Sequence, residues 1–326
     1  MLRLKALIPF LFTAFISQDG FAQTPQTAGA FPISAPQQPA DPAKIELGKK
    51  LYQEPMFAKD LSASCASCHQ LKNAGVDNLP QYIGMNKQVG AVNTPTILNA
   101  SLNFRQFWDG RAKTIAEVIS DHVKDKSIFD SSWPTIIQHL SENSIYTEDF
   151  KKIYPQGITK ATIEDALTVY IENLLTNNSN FDKFMAGDRN ALTNDAQKGF
   201  RLFKKYGCIF CHQGPNLGGN LYQRLGIYKD YYADKGPPKK SDLGLYNVTG
   251  KPEDKYVFKV PTLRNISRTG PYLHDGSIKT LPEMIQLMAI YQVGQPLRND
   301  EVNSIAAFLQ SLNGQPDNDL ITNQEK

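Results

Sequence analysis

The sequence predicts a mostly α-helical protein made of two halves on one plan. Three observations carry this. The length of 326 residues suits two ordinary domains. A block of residues recurs at a fixed spacing, and the apolar residues around it fall at helical rather than alternating intervals. In the first half the block reads Pro95-Thr-Ile-Leu-Asn99, Trp108-Asp-Gly110, Lys113-Thr-Ile115 and Glu117-Val118. Its counterpart, offset by 166 residues, reads Pro261-Thr-Leu-Arg-Asn265, His274-Asp-Gly276, Lys279-Thr-Leu281 and Glu283-Met284.

From the N-terminus, the basic start Met1-Leu-Arg-Leu-Lys5 is followed by an apolar run from Ala6 to Ile16 and small residues at Gly20-Phe-Ala22. This predicts a secretory signal over residues 1–22, cut after Ala22. The run is short for a bilayer span. Residues 23–40 are rich in Gln, Pro, Thr and Ala and carry no charge, which reads as a flexible leader. The formal charge is +3, and the absence of any basic run argues against nucleic acid as a partner. No later stretch is apolar enough for a membrane helix, so a periplasmic product that does not span the membrane is expected.

Folding is expected to begin at Asp41, with an N-terminal domain over 41–185, a C-terminal domain over 190–315 and a tail over 316–326. Glu46-Leu-Gly-Lys-Lys-Leu-Tyr52 and Gln197-Lys-Gly-Phe-Arg-Leu-Phe203 read as equivalent helices, one opening each half. Ile163, Ala166, Leu167, Tyr170, Ile171 and Leu174 share one helical face. Residues 213–259, crowded with Gly, Pro, Tyr and charges, read mainly as loop. In the final helix Asn299 is the expected cap, Val302, Ile305, Ala306, Leu309 and Leu312 the stripe, and Gly314 the stop.

All 4 cysteines sit in two motifs, Cys65-Ala-Ser-Cys68-His69 and Cys208-Ile-Phe-Cys211-His212. Covalent haem attachment needs two thiols to add across the porphyrin vinyl groups, with the next residue an iron-ligating imidazole. A split zinc site would use the same four thiols, and a thioredoxin-like pair would use one Cys-x-x-Cys. Neither requires a histidine after each second cysteine, and there are only 5 histidines in the chain. A disulfide framework is unnecessary for a chain long enough to bury a core. The fold class is therefore two tandem cytochrome c-like domains, each with one covalently bound c-type haem. His69 and His212 are the proximal ligands.

The sixth iron position decides the task of each haem, since a Met there raises the potential while an open position admits chemistry. For the second haem the candidate is Met288, which follows the His274-Asp-Gly276 turn on a helical segment. Met284, one turn earlier, is the alternative, and either could simply pack the core.

From about Asp41 to Leu312 the chain resembles the bacterial di-haem cytochrome c peroxidases and the related methylamine-utilisation di-haem enzyme. The resemblance is carried by Leu61-Ser-Ala-Ser-Cys65 through His69, Asn93-Thr-Pro-Thr96, Phe107-Trp-Asp-Gly-Arg-Ala112, Phe181 to Asp188, Val260-Pro-Thr-Leu-Arg-Asn265, Pro271 to Gly276 and Met288 to Gly294. It implies a peroxidatic first haem and an electron-entry second haem with His212 and Met288 as axial pair. It also implies inter-haem electron transfer through Trp108, although a Trp is as readily a core aromatic. An interdomain calcium is implied at Asn93, Thr269 and Pro271, whose oxygens suit that ion. Hydrogen peroxide as substrate, a small soluble donor such as a cytochrome c or copper protein, and a homodimer follow from the same resemblance.

The departures lie on the far side of the first haem. Val118 and Ile128 stand where the family has a Gln and an acid-base Glu. Met85 stands where it presents a displaceable His and becomes a candidate ligand. His122, at a position the family fills with Pro, is a candidate acid-base group or sixth ligand; a packing histidine is the ordinary alternative. His139 is expected to be structural, and His274 to support a haem propionate or the turn. Three activities follow: peroxide reduction, electron carriage without catalysis, and oxidative modification of a protein. Met288 weighs against the last, because the methylamine-utilisation enzyme has a Tyr there. The peroxidase reading is the expectation.

Overall fold

The computed structural model describes residue 33 and residues 40–321. The expected signal, nearly all of the leader and the end of the tail lie outside the described residues. The described chain is helical with one short strand pair, in line with the sequence expectation.

The first half contains α1 (Pro42–Gln53), the single turn α2 (Cys65–Cys68), α3 (Ile115–Lys124), α4 (Trp133–Ser141), α5 (Ser144–Ile153) and α6 (Lys160–Glu172). After α7 (Asn180–Met185) come α8 (Asn194–Lys205), strand β1 (Tyr222–Arg224), the short α9 (Tyr231–Lys235) and α10 (Tyr246–Thr249), strand β2 (Val257–Lys259), α11 (Leu281–Met288), α12 (Asn299–Gln310) and α13 (Asn318–Ile321). β1 and β2 pair antiparallel, Tyr222 opposite Lys259, inside the segment read mainly as loop. That segment lacks helical period because its helices α9 and α10 are only one turn long and the rest is a short ribbon joined by turns.

Helix α1 starts where Asp41 accepts the Ala43 amide at 2.9 Å and Pro42 occupies the first turn, a favourable start because proline has no amide to leave unpaired. It buries Leu47, Leu51 and Tyr52 against Ile163, Ala166, Leu167 and Tyr170 of α6. The second half repeats this arrangement. Phe200 and Phe203 of α8 pack on Ile305, Phe308 and Leu309 of α12.

At both crossings the backbones touch through a glycine. A Cβ on Gly48 would drive into Ala166 O, and one on Gly199 into Ser304 O. Neither neighbour is a movable side-chain end, so Gly199→Ala is expected to cost about 3 kcal/mol, the upper range for overpacking. The denaturant midpoint of the haem-loaded protein checks this; an unchanged midpoint would contradict the crossing geometry.

The 166-residue repeat is also written in the backbone. Asn99 and Asn265 take left-handed φ values of 59° and 60°, and Phe107 and Leu273 values of 67° and 68°. The isolated bridges Gln106 to Ala112 and Tyr272 to Ile278 correspond residue for residue. Thr114 and Thr280 then cap α3 and α11, accepting the amides of Glu117 and Glu283. The chain therefore delivers the same helix to the same place in each half.

Three details differ from the sequence expectations. Asn299 is the first helical residue, and the cap position is Arg298, whose amide donates to Glu301 at 3.2 Å. Helix α12 closes at Ser311; the Gly314 amide instead donates to Asn265 Oδ1 at 2.9 Å, tying the end of the helix to the repeat block. Phe181 of α7 packs in the second core, while Leu320 and Ile321 of the tail dock on the first. The two halves also meet through Asn93, whose amide donates to His274 O at 2.7 Å, and Phe104, whose amide donates to Gly219 O at 2.7 Å.

Candidate active site

Each haem-attachment motif is one tight turn. Cys65 and Cys68 begin and end α2, and a 3-10 turn runs Cys208–Phe210 with Cys211 at its close. A three-residue separation on a helical turn points both side chains to one side. All four thiols are free of disulfides. Burial pushes the free Cys65 thiol up to about 12 and the free Cys68 and Cys208 thiols to about 11. Among the described residues, the Asp, Glu, His and Cys groups that converge closely enough to hold an ion are Asp242, His274 and Asp275. The cysteines are not among them, which removes the split zinc site.

The histidine after each motif is set by the backbone. His69 Nδ1 donates to Gly75 O at 3.2 Å and His212 Nδ1 to Leu217 O at 3.3 Å. Holding the proton on Nδ1 leaves Nε2 with its lone pair for a metal. Burial lowers both pKa values, that of His212 to about 4, so both rings are neutral and ready to ligate. Tyr52 OH donates to His69 O and anchors the turn to α1. Both rings are surrounded by protein yet partly accessible, as side chains lining an interior hollow are.

His122 sits on α3 with its ring centroid 6.5 Å from that of His69 and the ring planes 21° apart. Phe107 meets it edge-on at 5.6 Å, and the Arg111 guanidinium lies 3.4 Å over the Phe107 ring. Burial, then His69 and Arg111, push the His122 pKa down to about 3. Val118 and Ile128 are partly buried, Ile128 against the first core, and neither side chain can exchange a proton. Met85 is 4% exposed within the first core, on a turn pinned by its amide to Ser127 O at 2.9 Å and by Gln88 N to Met85 O at 3.0 Å. His139 Nδ1 contacts Met56 O at 3.4 Å, a packing position.

Met288 is the last residue of α11, and the next turn, Ala289–Val293, widens to a π-helix, a distortion common at functional positions. Met288 packs with Trp108, Tyr256, Met284 and Tyr291 against a small third core at the seam of the halves. Trp108 spans that seam. Its Nε1 donates to Asn93 O at 2.9 Å, its carbonyl accepts the Lys259 amide at 3.0 Å, and its ring meets His274 edge-on at 6.5 Å.

His274 is 2% exposed, stacks on Phe258 at 4.6 Å and shares a 2.7 Å hydrogen bond between Nε2 and Asp242 Oδ1. Its ring therefore holds the turn through a carboxylate of the protein. Lys235 fills the remaining space with contacts of 2.6 Å to Asp242 and 2.7 Å to Asp275. The residues expected at a calcium share the seam region without converging on carboxylates. Asn93 Nδ2 donates to Leu79 O at 2.7 Å, Thr269 Oγ1 to Ile266 O at 3.2 Å, and Pro271 follows Gly270 through a cis peptide.

Lys259 was not singled out by sequence, although it interrupts an apolar run from Val257 to Val260. It is 7% exposed, and its ammonium has no hydrogen-bond or ion-pair partner among the described residues. Burial lowers its pKa to about 8. A cation on so buried a stem favours an anion beside it, and haem brings two carboxylates. Paired thiols and oriented imidazoles fit a covalently attached haem in each half, and the Lys259 cation suits a haem carboxylate.

A family model described as di-haem cytochrome c peroxidase matches residues 42–190. The cytochrome c peroxidase Ccp of Escherichia coli is 41% identical over 85% of this chain, which spans 59% of that protein's length. The cytochrome c551 peroxidase of Nitrosomonas europaea is also 41% identical, over 86% of this chain and 83% of its own length. A solved structure described as a MauG-like protein associated with microbial copper homeostasis superposes with a TM-score of 0.77 at 23% identity, over 90% of this chain and 95% of that one. That likeness shows the fold.

Proposed function

We propose, for a chain that belongs to the di-haem cytochrome c peroxidase family, that it reduces hydrogen peroxide to water in the N-terminal half with electrons entering through the C-terminal half. The observation that carries this division is the inequality of one repeated position, which is His122 in the first half and Met288 in the second. A thioether ligand raises the potential and suits electron entry. When bound in the first half, haem supplies the iron at which the O–O bond is cleaved with two electrons and two protons to give two waters.

Four groups of this chain have distinct roles in that reaction. Cys65 and Cys68 hold the first haem and His69 ligates it; Cys208, Cys211, His212 and Met288 do the same for the second. Lys259 offsets a haem carboxylate, and Trp108 occupies the seam that electrons cross. Of positions 118, 122 and 128, only His122 can take up a proton and return it, so it handles the proton that peroxide must transfer between its oxygens. An interdomain calcium would use the Asn93 side-chain oxygen, left available by the bond from Nδ2 to Leu79 O, with oxygens of Thr269 and Pro271.

Haem attachment outside the cytoplasm supports a periplasmic location, and no helix among the described residues is long and apolar enough to cross a membrane. A small soluble redox protein is the expected donor. A carrier without catalysis is the second reading, favoured by the apolar Val118 and Ile128.

The experiment is steady-state oxidation of a reduced small cytochrome c with and without hydrogen peroxide. The peroxidase reading expects peroxide-dependent oxidation, whereas the carrier reading expects none. Met288→Leu is expected to lower the midpoint of the high-potential haem by on the order of tenths of a volt and to slow donor-driven turnover, checked by redox titration. An unchanged midpoint would remove Met288 from the iron.

A further inference from the structure

We infer that His122 is the resting sixth ligand of the first haem iron, a ligand carried on a regular helix and released by rotation of its own side chain. The inference rests on haem attachment at His69 and deepens the peroxidase reading by naming what closes its site.

Three observations carry it. Two imidazoles on opposite sides of one metal ion, each about 2 Å from it, place their ring centres roughly 6 Å apart. The centroids of His69 and His122 lie 6.5 Å apart with planes 21° from parallel.

Secondly, His122 is the one histidine of five left without a hydrogen-bond partner among the described residues. His69, His139, His212 and His274 each set a ring nitrogen on a protein oxygen, whereas neither nitrogen of His122 has a hydrogen-bond partner among the described residues. The ring is half-buried, as a side chain facing an interior hollow is, and a metal bond there would use a nitrogen that the protein leaves idle.

Thirdly, His122 and Met288 occupy the same register. Helices α3 and α11 start at equivalent residues, Ile115 and Leu281, behind equivalent threonine caps. Each candidate ligand lies seven residues after its helix start. The fold thus delivers an imidazole in one half and a thioether in the other.

The alternative Met85 is a packed residue of the first core, and its turn is stitched to Ser127 twice, by its own amide and by Tyr82 OH to Ser127 Oγ at 2.8 Å. Ile119 and Val123, which flank His122 on α3, are 6% and 0% exposed. The helix is thereby fixed in the core, and a change of side-chain rotamer is the movement left to free the iron. Peroxide access would then be gated by one side chain, without displacement of the 82–92 loop.

The test is spectroscopic and uses the oxidised two-haem protein. Electron paramagnetic resonance and near-infrared magnetic circular dichroism are expected to show one His/His and one His/Met low-spin haem. In His122→Ala the first haem should become high-spin while the His/Met signals stay, and added imidazole should restore a low-spin first haem. His122→Met should convert the His/His signature into a second His/Met one.

A wild-type first haem that is high-spin or His/Met would overturn the inference, as would a low-spin first haem unchanged in His122→Ala. Should that variant fail to load haem, the wild-type spectrum and His122→Met still decide. These readouts stand apart from turnover: a His/His spectrum with no peroxide consumption would keep the ligand and remove the peroxidase reading.

Discussion

Replacing Cys65 and Cys68 with Ala together is expected to yield a protein carrying one haem by mass and to cut peroxide turnover by more than about 10³-fold, because the reacting iron would be lost and enzymes owe most of their rate to such centres. The second haem should be retained, since its motif, proximal His212 and Met288 all lie in a half with its own core. Its spectrum and midpoint should therefore match those of the parent. The reciprocal change at Cys208 and Cys211 should leave the first haem able to meet peroxide while starving it of electrons from a protein donor. If the Cys65 and Cys68 variant still turned over peroxide, the assignment of roles to the two halves would be reversed.

The largest effect on stability is expected at Asp182. Its carboxylate receives the fully buried Arg264 guanidinium, with 2.7 Å from Nη1 to each oxygen, and also accepts the Ser179 amide at 3.0 Å to cap α7. Arg264 is held further by a 2.9 Å bond from Nε to Pro215 O. Asp182→Ala would leave a guanidinium charge in the core beside the loop after the second haem motif, and breaking such a pair costs about 3–5 kcal/mol. That is a large part of the margin by which domains of this size stay folded. Denaturant unfolding monitored at the second haem would measure it. Adding Arg264→Met should recover part of the loss, because an apolar residue is often tolerated where a buried charge that has lost its carboxylate is not. A lone Asp182→Ala variant with parental stability would show that the pair contributes nothing.

Local sequence explains what could be foreseen and what could not. The two haem motifs were legible because the chemistry forces two thiols and an imidazole into five consecutive residues. The 166-residue repeat was legible because each of its elements reappears with its neighbours, and its signature in the structure is the matched left-handed asparagines, Asn99 and Asn265. The helix α6 was legible from a stripe that a buried face requires.

Other features depend on residues brought together from distant parts of the chain. Arg264 meets Asp182 across 82 positions and Asp242 meets His274 across 32, distances over which no periodicity operates. Lys259 carried only the weak sign of a cation inside an apolar run. The capping of α12 was misplaced by one residue because Asn299 is a good cap by type, whereas the reach of Glu301 to the Arg298 amide decides it. At the first haem, sequence supplied the unequal positions Val118, His122 and Ile128, but the separation of His69 and His122 needed coordinates.

The central claim is that peroxide is reduced in the half that holds His69 with electrons stored in the half that holds Met288. The most direct test prepares the protein half-reduced, with the electron on the second haem, and adds one equivalent of hydrogen peroxide while both haems are followed optically. Peroxide should be consumed and the second haem oxidised as the first leaves its His/His state. Persistent peroxide beside a reduced second haem and a six-coordinate first haem would contradict it.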